Sequence, residues 1–112
     1  MRRETNLYLE DIVGVCRKIE HYTAGLTFAD FEADPKTVDA VVWNIEIISE
    51  AAGNIPSDVR AQMPEVAWSD ASDMRNTIIH DISAVDMDIA WDVAKTKVGP
   101  LANQISDYLR TR

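Results

Sequence analysis

With 112 residues, 46% hydrophobic and 27% charged, and only four Gly and four Pro, the chain is sized for one globular domain spanning 1–112, not for disorder or a fibrous repeat. Nineteen acidic against eleven basic residues leave a net charge of −8, which opposes non-specific attraction to a polyanion, so a nucleic-acid substrate needs local recognition. A basic protein partner is the other class that this balance favours. No apolar run nears the roughly 20 residues of a membrane span, and Met1-Arg2-Arg3-Glu4 leads into an amphipathic pattern, so a cytoplasmic protein with no membrane association is expected. The lone Cys16 and two histidines exclude the usual zinc sites. No metal or cofactor is expected, and Cys16 reads as a small buried hydrophobe.

Tyr8, Ile12, Val15, Ile19 and Tyr22 recur at helical spacing and predict a first helix from about Asn6 to Thr23, ended at Gly25. His21 near its end suits the helix dipole. Thr27-Phe28-Ala29-Asp30-Phe31 is an ordered connector with Thr27 as N-cap and two Phe for docking. Asp34-Pro35 starts the next helix, since Asp caps free amides and proline at the first position sacrifices no hydrogen bond. Val38, Val41, Ile45, Ile48 and Ala52 carry it to Gly53, with Val42, Ile47 and Ala51 widening its apolar surface, which makes it the candidate central helix. Glu46 and Glu50 lie at i and i+4 on its other side, near Trp43 and Asn44. Such a pair serves acid–base or metal chemistry, or more commonly a solvated face.

Ser57 to Met63 predicts a short helix ended before Pro64. A fourth helix is expected from Ser69 to His80, with Ser69 as N-cap and Asp70 and Asp73 in its first turn. Asp86 caps a long final helix along Trp91, Ala94, Val98, Leu101, Ile105 and Tyr108, with Gly99-Pro100 expected to kink it. No strand-like alternation of any length appears. The expected fold is all-α, an up-and-down four-helix bundle with short accessory helices.

The chemistry concentrates in Ser72-Asp73-Met74-Arg75-Asn76-Thr77-Ile78-Ile79-His80-Asp81-Ile82. On an ideal helix residues five apart are separated by about 140° around the axis, so Arg75 and His80 do not share a face, whereas Ser72, Asn76 and His80 form one row. Arg75 joins His80 only if its side chain curls around, if His80 sits on a frayed last turn, or if a second subunit supplies a matching pair across a two-fold axis. A guanidinium, an imidazole and an amide make a phosphate-handling group suited to metal-free RNA cleavage, in which the 2′-hydroxyl attacks phosphorus, histidine transfers a proton and arginine stabilises developing charge. The plainer alternative is that Arg75 pairs with a nearby Asp and His80 caps a helix end.

The run Met74-Arg75-Asn76-Thr77-Ile78-Ile79-His80-Asp81, followed by Val85 to Asp92, resembles the HepT-like toxin family of the HEPN superfamily, which carries Arg, four to six residues, then His, commonly with Asn after the Arg. The resemblance extends over the first helix with Gly25-Leu26-Thr27-Phe28, over Asn44-Ile45-Glu46-Ile47-Ile48-Ser49-Glu50-Ala51-Ala52, and over Pro64 to Trp68. It implies a HEPN-like helical homodimer with its cleft at the two-fold interface, a metal-independent endoribonuclease toxin, and an antitoxin of the MntA nucleotidyltransferase type. Arg75 and His80 are then catalytic, with Asn76 and Ser72 supporting or binding RNA. Family members commonly have a tyrosine two residues after the histidine that the antitoxin can adenylylate; here that position is Ile82. The resemblance then implies a usable Arg75–His80 pair without modification at that place, leaving capping by a partner, another acceptor such as Ser83, or a weakened nuclease. The alternative function is a non-catalytic helical module that binds a nucleotidyltransferase or a nucleotide.

Overall fold

The computed structural model describes residues 3–81 and 84–111, with Arg3, His80 and Asp81 described through their backbone alone. Helix α1 runs Arg3–Thr23. Its buried stripe is Leu9, Ile12, Val15, Cys16 and Ile19, continued by a fully buried Thr23 whose hydroxyl donates to the Ile19 carbonyl at 3.0 Å. The stripe is therefore rotated from the expected one: Tyr8 is half-buried and Tyr22 exposed, because a phenol keeps its hydroxyl wet while Leu, Cys and Thr fill the packed face. Gly25 turns the chain at φ 76°, a conformation that favours glycine. Lys95 donates to the Thr23 carbonyl at 3.3 Å, placing a cation at the negative end of α1.

Helix α2 (Phe28–Glu32) begins in a capping box: the Asp30 amide donates to Thr27 Oγ1 and the Thr27 amide to the Asp30 carboxylate. Phe28 and Phe31 dock it on Trp91, at ring-centroid distances of 6.2 and 5.2 Å. Helix α3 (Pro35–Gly53) is capped by Asp34, as the Asp-Pro pair requires, and packs against α1, α2 and α5. Arg60, the last residue of α4 (Ser57–Arg60), closes the other end. Its Nη2 donates to the Ala52 carbonyl at 2.7 Å, its Nε to Ile55 at 3.0 Å, and the guanidinium stacks on Trp68. The expected helix to Met63 stops at Arg60, three residues short, and the chain runs on in turns before Pro64.

Helix α5 (Trp68–Ile78) differs from the expected Ser69–His80 at both ends. Ala67, not Ser69, is the N-cap, with no side-chain cap bond. At the other end Thr77, Ile78 and Ile79 are three β-branched residues in succession, which lose rotamer freedom in a helix, and Ile79 leaves at φ −105°, ψ 103°. A short antiparallel hairpin follows where none was expected: β1 (Ile79–Asp81) pairs with β2 (Ala84–Val85), Ile79 opposite Val85 and Asp81 opposite Ala84. The returning chain satisfies the helix end, the Asp86 amide donating to the Ile78 carbonyl at 2.7 Å. Asp86 then caps α6 (Met87–Asp92) by accepting from the Ile89 amide.

The last helix runs on from α6 through a π-helical segment (Val93–Lys97) into α7 (Val98–Arg110). Pro100 brings no amide for the Thr96 carbonyl, and its ring crowds that turn. The distortion expected at Gly99-Pro100 is taken up in the widened turn just before it, where the Val98 amide reaches back to Val93. With α1 between α3 and α7, and α3 between α1 and α5, the fold is an all-α bundle with the hairpin as its small non-helical part. Among the described residues no helix is long and apolar enough to cross a membrane.

Candidate active site

Arg75 lies in the last turn of α5, on the side facing α3. Its Nε donates to Glu46 Oε1 at 3.3 Å, and both side chains are nearly half exposed, at 45% and 42%. Among the described residues no acceptor meets its two terminal nitrogens. An arginine held only through Nε presents its terminal N–H fork outward, the geometry that matches two phosphate oxygens. The partner is thus a glutamate of another helix, not the neighbouring Asp of the plainer alternative, and half of the Glu46/Glu50 pair is spoken for; Glu50 is exposed.

The backbone of Arg75 is held from the same helix. Ser49, 8% exposed, donates its hydroxyl to the Ala71 carbonyl at 3.1 Å and accepts from the Arg75 amide at 2.9 Å. Glu46 and Ser49, one turn apart on α3, therefore grip Arg75 by its side chain and its main chain. Sequence inspection passed over Ser49; its one signal is a hydroxyl at a core position of the stripe, four residues after Ile45 and flanked by Ile48 and Ala52.

Ser72, expected to support the site, turns its hydroxyl back on its own helix, toward the carbonyls of Trp68 at 3.0 Å and Ser69 at 3.2 Å. Asn76 is exposed, one residue beyond Arg75. His80 is the middle residue of β1, two residues past the end of α5, so the row Ser72-Asn76-His80 ends at Asn76 and the 140° offset does not govern the pair. The backbone thus carries His80 off the end of the helix and into β1. Ile82 and Ser83, the positions considered for modification, lie outside the described residues.

A groove of about 620 Å³ lies on another side of α5, against α6 and α7. Its walls include Asp70, Asp73, Asp92 and Lys97 over Met74 and Leu101, while Arg75 is not part of it. Its carboxylates repel phosphate, so the groove disfavours a phosphate-bearing ligand. Among the described residues no three His, Cys, Asp or Glu side chains are grouped to hold a metal.

The bundle, with Arg75 on its helix α5, defines the class: a small helical protein of the HEPN type. A family model described as Ribonuclease HepT-like matches residues 12–108, and the chain belongs to that family. The chain is similar to a protein of Thermococcus cleftensis named Probable ribonuclease HepT, 39% identical over 90% of this chain and 92% of that one. It is also similar to a protein of Caldanaerobacter subterraneus named as a candidate RNase, 32% identical over 92% of both chains. A third relative, from Methanocaldococcus jannaschii and also named as a candidate RNase, is 29% identical over 97% of this chain and 90% of its own. No solved structure matches the chain.

Proposed function

We propose that this protein is an endoribonuclease that cleaves RNA with Arg75 and His80, and that it is the toxin of a toxin–antitoxin pair. The observation that carries the reading is the Arg75 guanidinium, anchored at Nε by Glu46 with its terminal nitrogens free of described partners, in a chain of a ribonuclease family. Arg75 binds the scissile phosphate through that fork and offsets the charge that develops on its oxygens. The 2′-hydroxyl oxygen bonds to phosphorus, the bond from phosphorus to the 5′-oxygen breaks, and His80 transfers a proton in the exchange. The 2′-hydroxyl loses its proton and the departing 5′-oxygen gains one, so no oxidant or second substrate enters. Asn76, exposed beside Arg75, contacts the RNA. Ser72 has its hydroxyl spent on its own helix, so its role is confined to shaping α5.

The reading includes a homodimer, cleavage that needs no metal ion, and neutralisation by an MntA-type nucleotidyltransferase. An exposed Trp43, 61% accessible and one turn from Glu46 on α3, supports a second copy covering that face. With Ile82 in the usual tyrosine position, neutralisation works by capping, not by adenylylation there. The test is cleavage of labelled RNA by purified protein in a chelator. Wild type cleaves, and His80→Ala abolishes turnover with helical circular dichroism and sedimentation unchanged; equal turnover by the two proteins sinks the enzyme reading. Mass spectrometry after incubation with the antitoxin and ATP finds no adenylate on residues 80–84, and finding one refutes neutralisation by capping alone.

The net charge of −8 and the acidic groove favour one second reading, a non-catalytic module that docks a basic partner. Toxicity on induced expression that is relieved by Arg75→Ala separates the two, because a passive module gives none.

A further inference from the structure

We infer that Ser49 is a positioning residue for Arg75: its buried hydroxyl, bonded from α3 to both the Ala71 carbonyl and the Arg75 amide, sets where the guanidinium stands. The inference rests on the reading of Arg75 as the phosphate-binding group. Ala71 and Arg75 are four residues apart, the spacing at which an undisturbed α-helix bonds carbonyl to amide directly. Here the Ser49 oxygen meets both, donating at 3.1 Å and accepting at 2.9 Å. One hydroxyl can do this because it carries a donor and two acceptor sites. The position is 8% exposed and α3 offers Ile45 and Ile48 on the same face, so a hydroxyl there has no water to fall back on and its two bonds are its compensation.

The consequence is geometric. Helix α5 is registered on α3 at the residue that carries the guanidinium, and Glu46, one turn earlier on α3, takes its Nε. Two attachments on one rigid helix, one to the main chain and one to the side chain, leave little freedom between the backbone of Arg75 and its fork. Replacing the hydroxyl by hydrogen leaves the Ala71 carbonyl and the Arg75 amide at the spacing of a helix bond, which satisfies both, so the fold survives, while the registration of Arg75 on Glu46 is lost. Catalytic groups displaced by a fraction of an ångström lose rate before they lose binding.

The experiment compares Ser49→Ala and Ser49→Thr in wild-type and Arg75→Lys backgrounds, using a fluorophore-labelled mixed-sequence RNA. Ser49→Ala lowers kcat by about ten-fold with KM within about two-fold, Ser49→Thr keeps the hydroxyl and restores most of the rate, and in the Arg75→Lys background Ser49→Ala changes kcat by less than about two-fold. Equal loss in both backgrounds, or no loss in wild type, overturns the inference. A second readout does not depend on turnover. Relaxation of the Arg75 Nε–H in nitrogen-15 spectra reports its side-chain order, which falls in Ser49→Ala and recovers in Ser49→Thr. Unchanged order in Ser49→Ala overturns the inference, whereas reduced order with an RNA turnover that Arg75→Lys does not alter sinks only the catalytic reading of Arg75.

Discussion

Truncating Arg75 separates function from folding because the two effects differ in size. In Arg75→Ala the folded state loses one ion pair between side chains that are 45% and 42% exposed, and exposed pairs contribute about 0.2–1 kcal/mol. The backbone bond from the Arg75 amide to Ser49 stays, since alanine keeps the amide. Stability should therefore fall by less than about 1 kcal/mol, a shift in Tm of no more than about 4 °C for a domain of this size. In the cleavage reaction the same change removes the fork that meets the developing phosphate charge. Losing one preorganised donor of that kind costs about 10²–10³ in kcat, and the partial exposure of the guanidinium places the loss near about 10². Arg75→Lys keeps the charge without the planar fork and should fall between, about ten-fold below wild type. The assay is single-turnover cleavage of labelled RNA beside thermal melts of the same preparations. Cleavage by Arg75→Ala within about two-fold of wild type refutes the assignment, and a melt lowered by more than about 8 °C shows that Arg75 is a structural residue.

Arg60→Ala removes two bonds to the carbonyls that close α3 together with the stacking on Trp68; a loss of about 1–2 kcal/mol, or about 4–8 °C in Tm, is expected in a thermal melt. Burial, and then the nearby Glu20 carboxylate, push the Cys16 thiol up to about 12. At pH 8 a thiol-specific chromogenic reagent should therefore react with the native protein about a thousand-fold more slowly than with protein in denaturant. The same shift makes native stability fall as pH rises above about 9, where only the unfolded chain gives up the proton. The Asp34 carboxyl is held below its usual value chiefly by the Thr37 hydroxyl, which donates to it at 2.6 Å. That contribution is present above the unfolded-state value and lost as pH falls through the folded one. Asp34→Asn should flatten the acid limb of a denaturation-versus-pH curve below about pH 4 while leaving neutral stability nearly unchanged, because Asn still caps.

What could be read from the residues in order was whatever depends on neighbours along the chain. Asp34-Pro35, Thr27 and Asp86 each start a helix as their side chains require, because a cap is satisfied within three residues of itself. The stripe of α3 and the all-α class follow from periodicity. The identity of Arg75, Asn76 and His80 as the chemically suggestive group came from their types and spacing, and from the resemblance those residues carry.

Only the folded chain decided the rest, and in each case the deciding partner is remote in sequence. The β-branched run Thr77-Ile78-Ile79 weakens the end of helix α5, but it ends at Ile78 because a returning strand pairs with Ile79 and takes the Ile78 carbonyl. His80 is thereby carried off the helix, and the angular argument against its cooperation with Arg75 is removed. The distortion near Pro100 appears as a π turn before it, in a helix that packs on α1 on both sides of the proline. Glu46 and Ser49, which precede Arg75 by 29 and 26 residues, hold its side chain and its backbone because α3 lies against α5. Periodicity names the face a helix buries; it does not name the atom on another helix that will be waiting there.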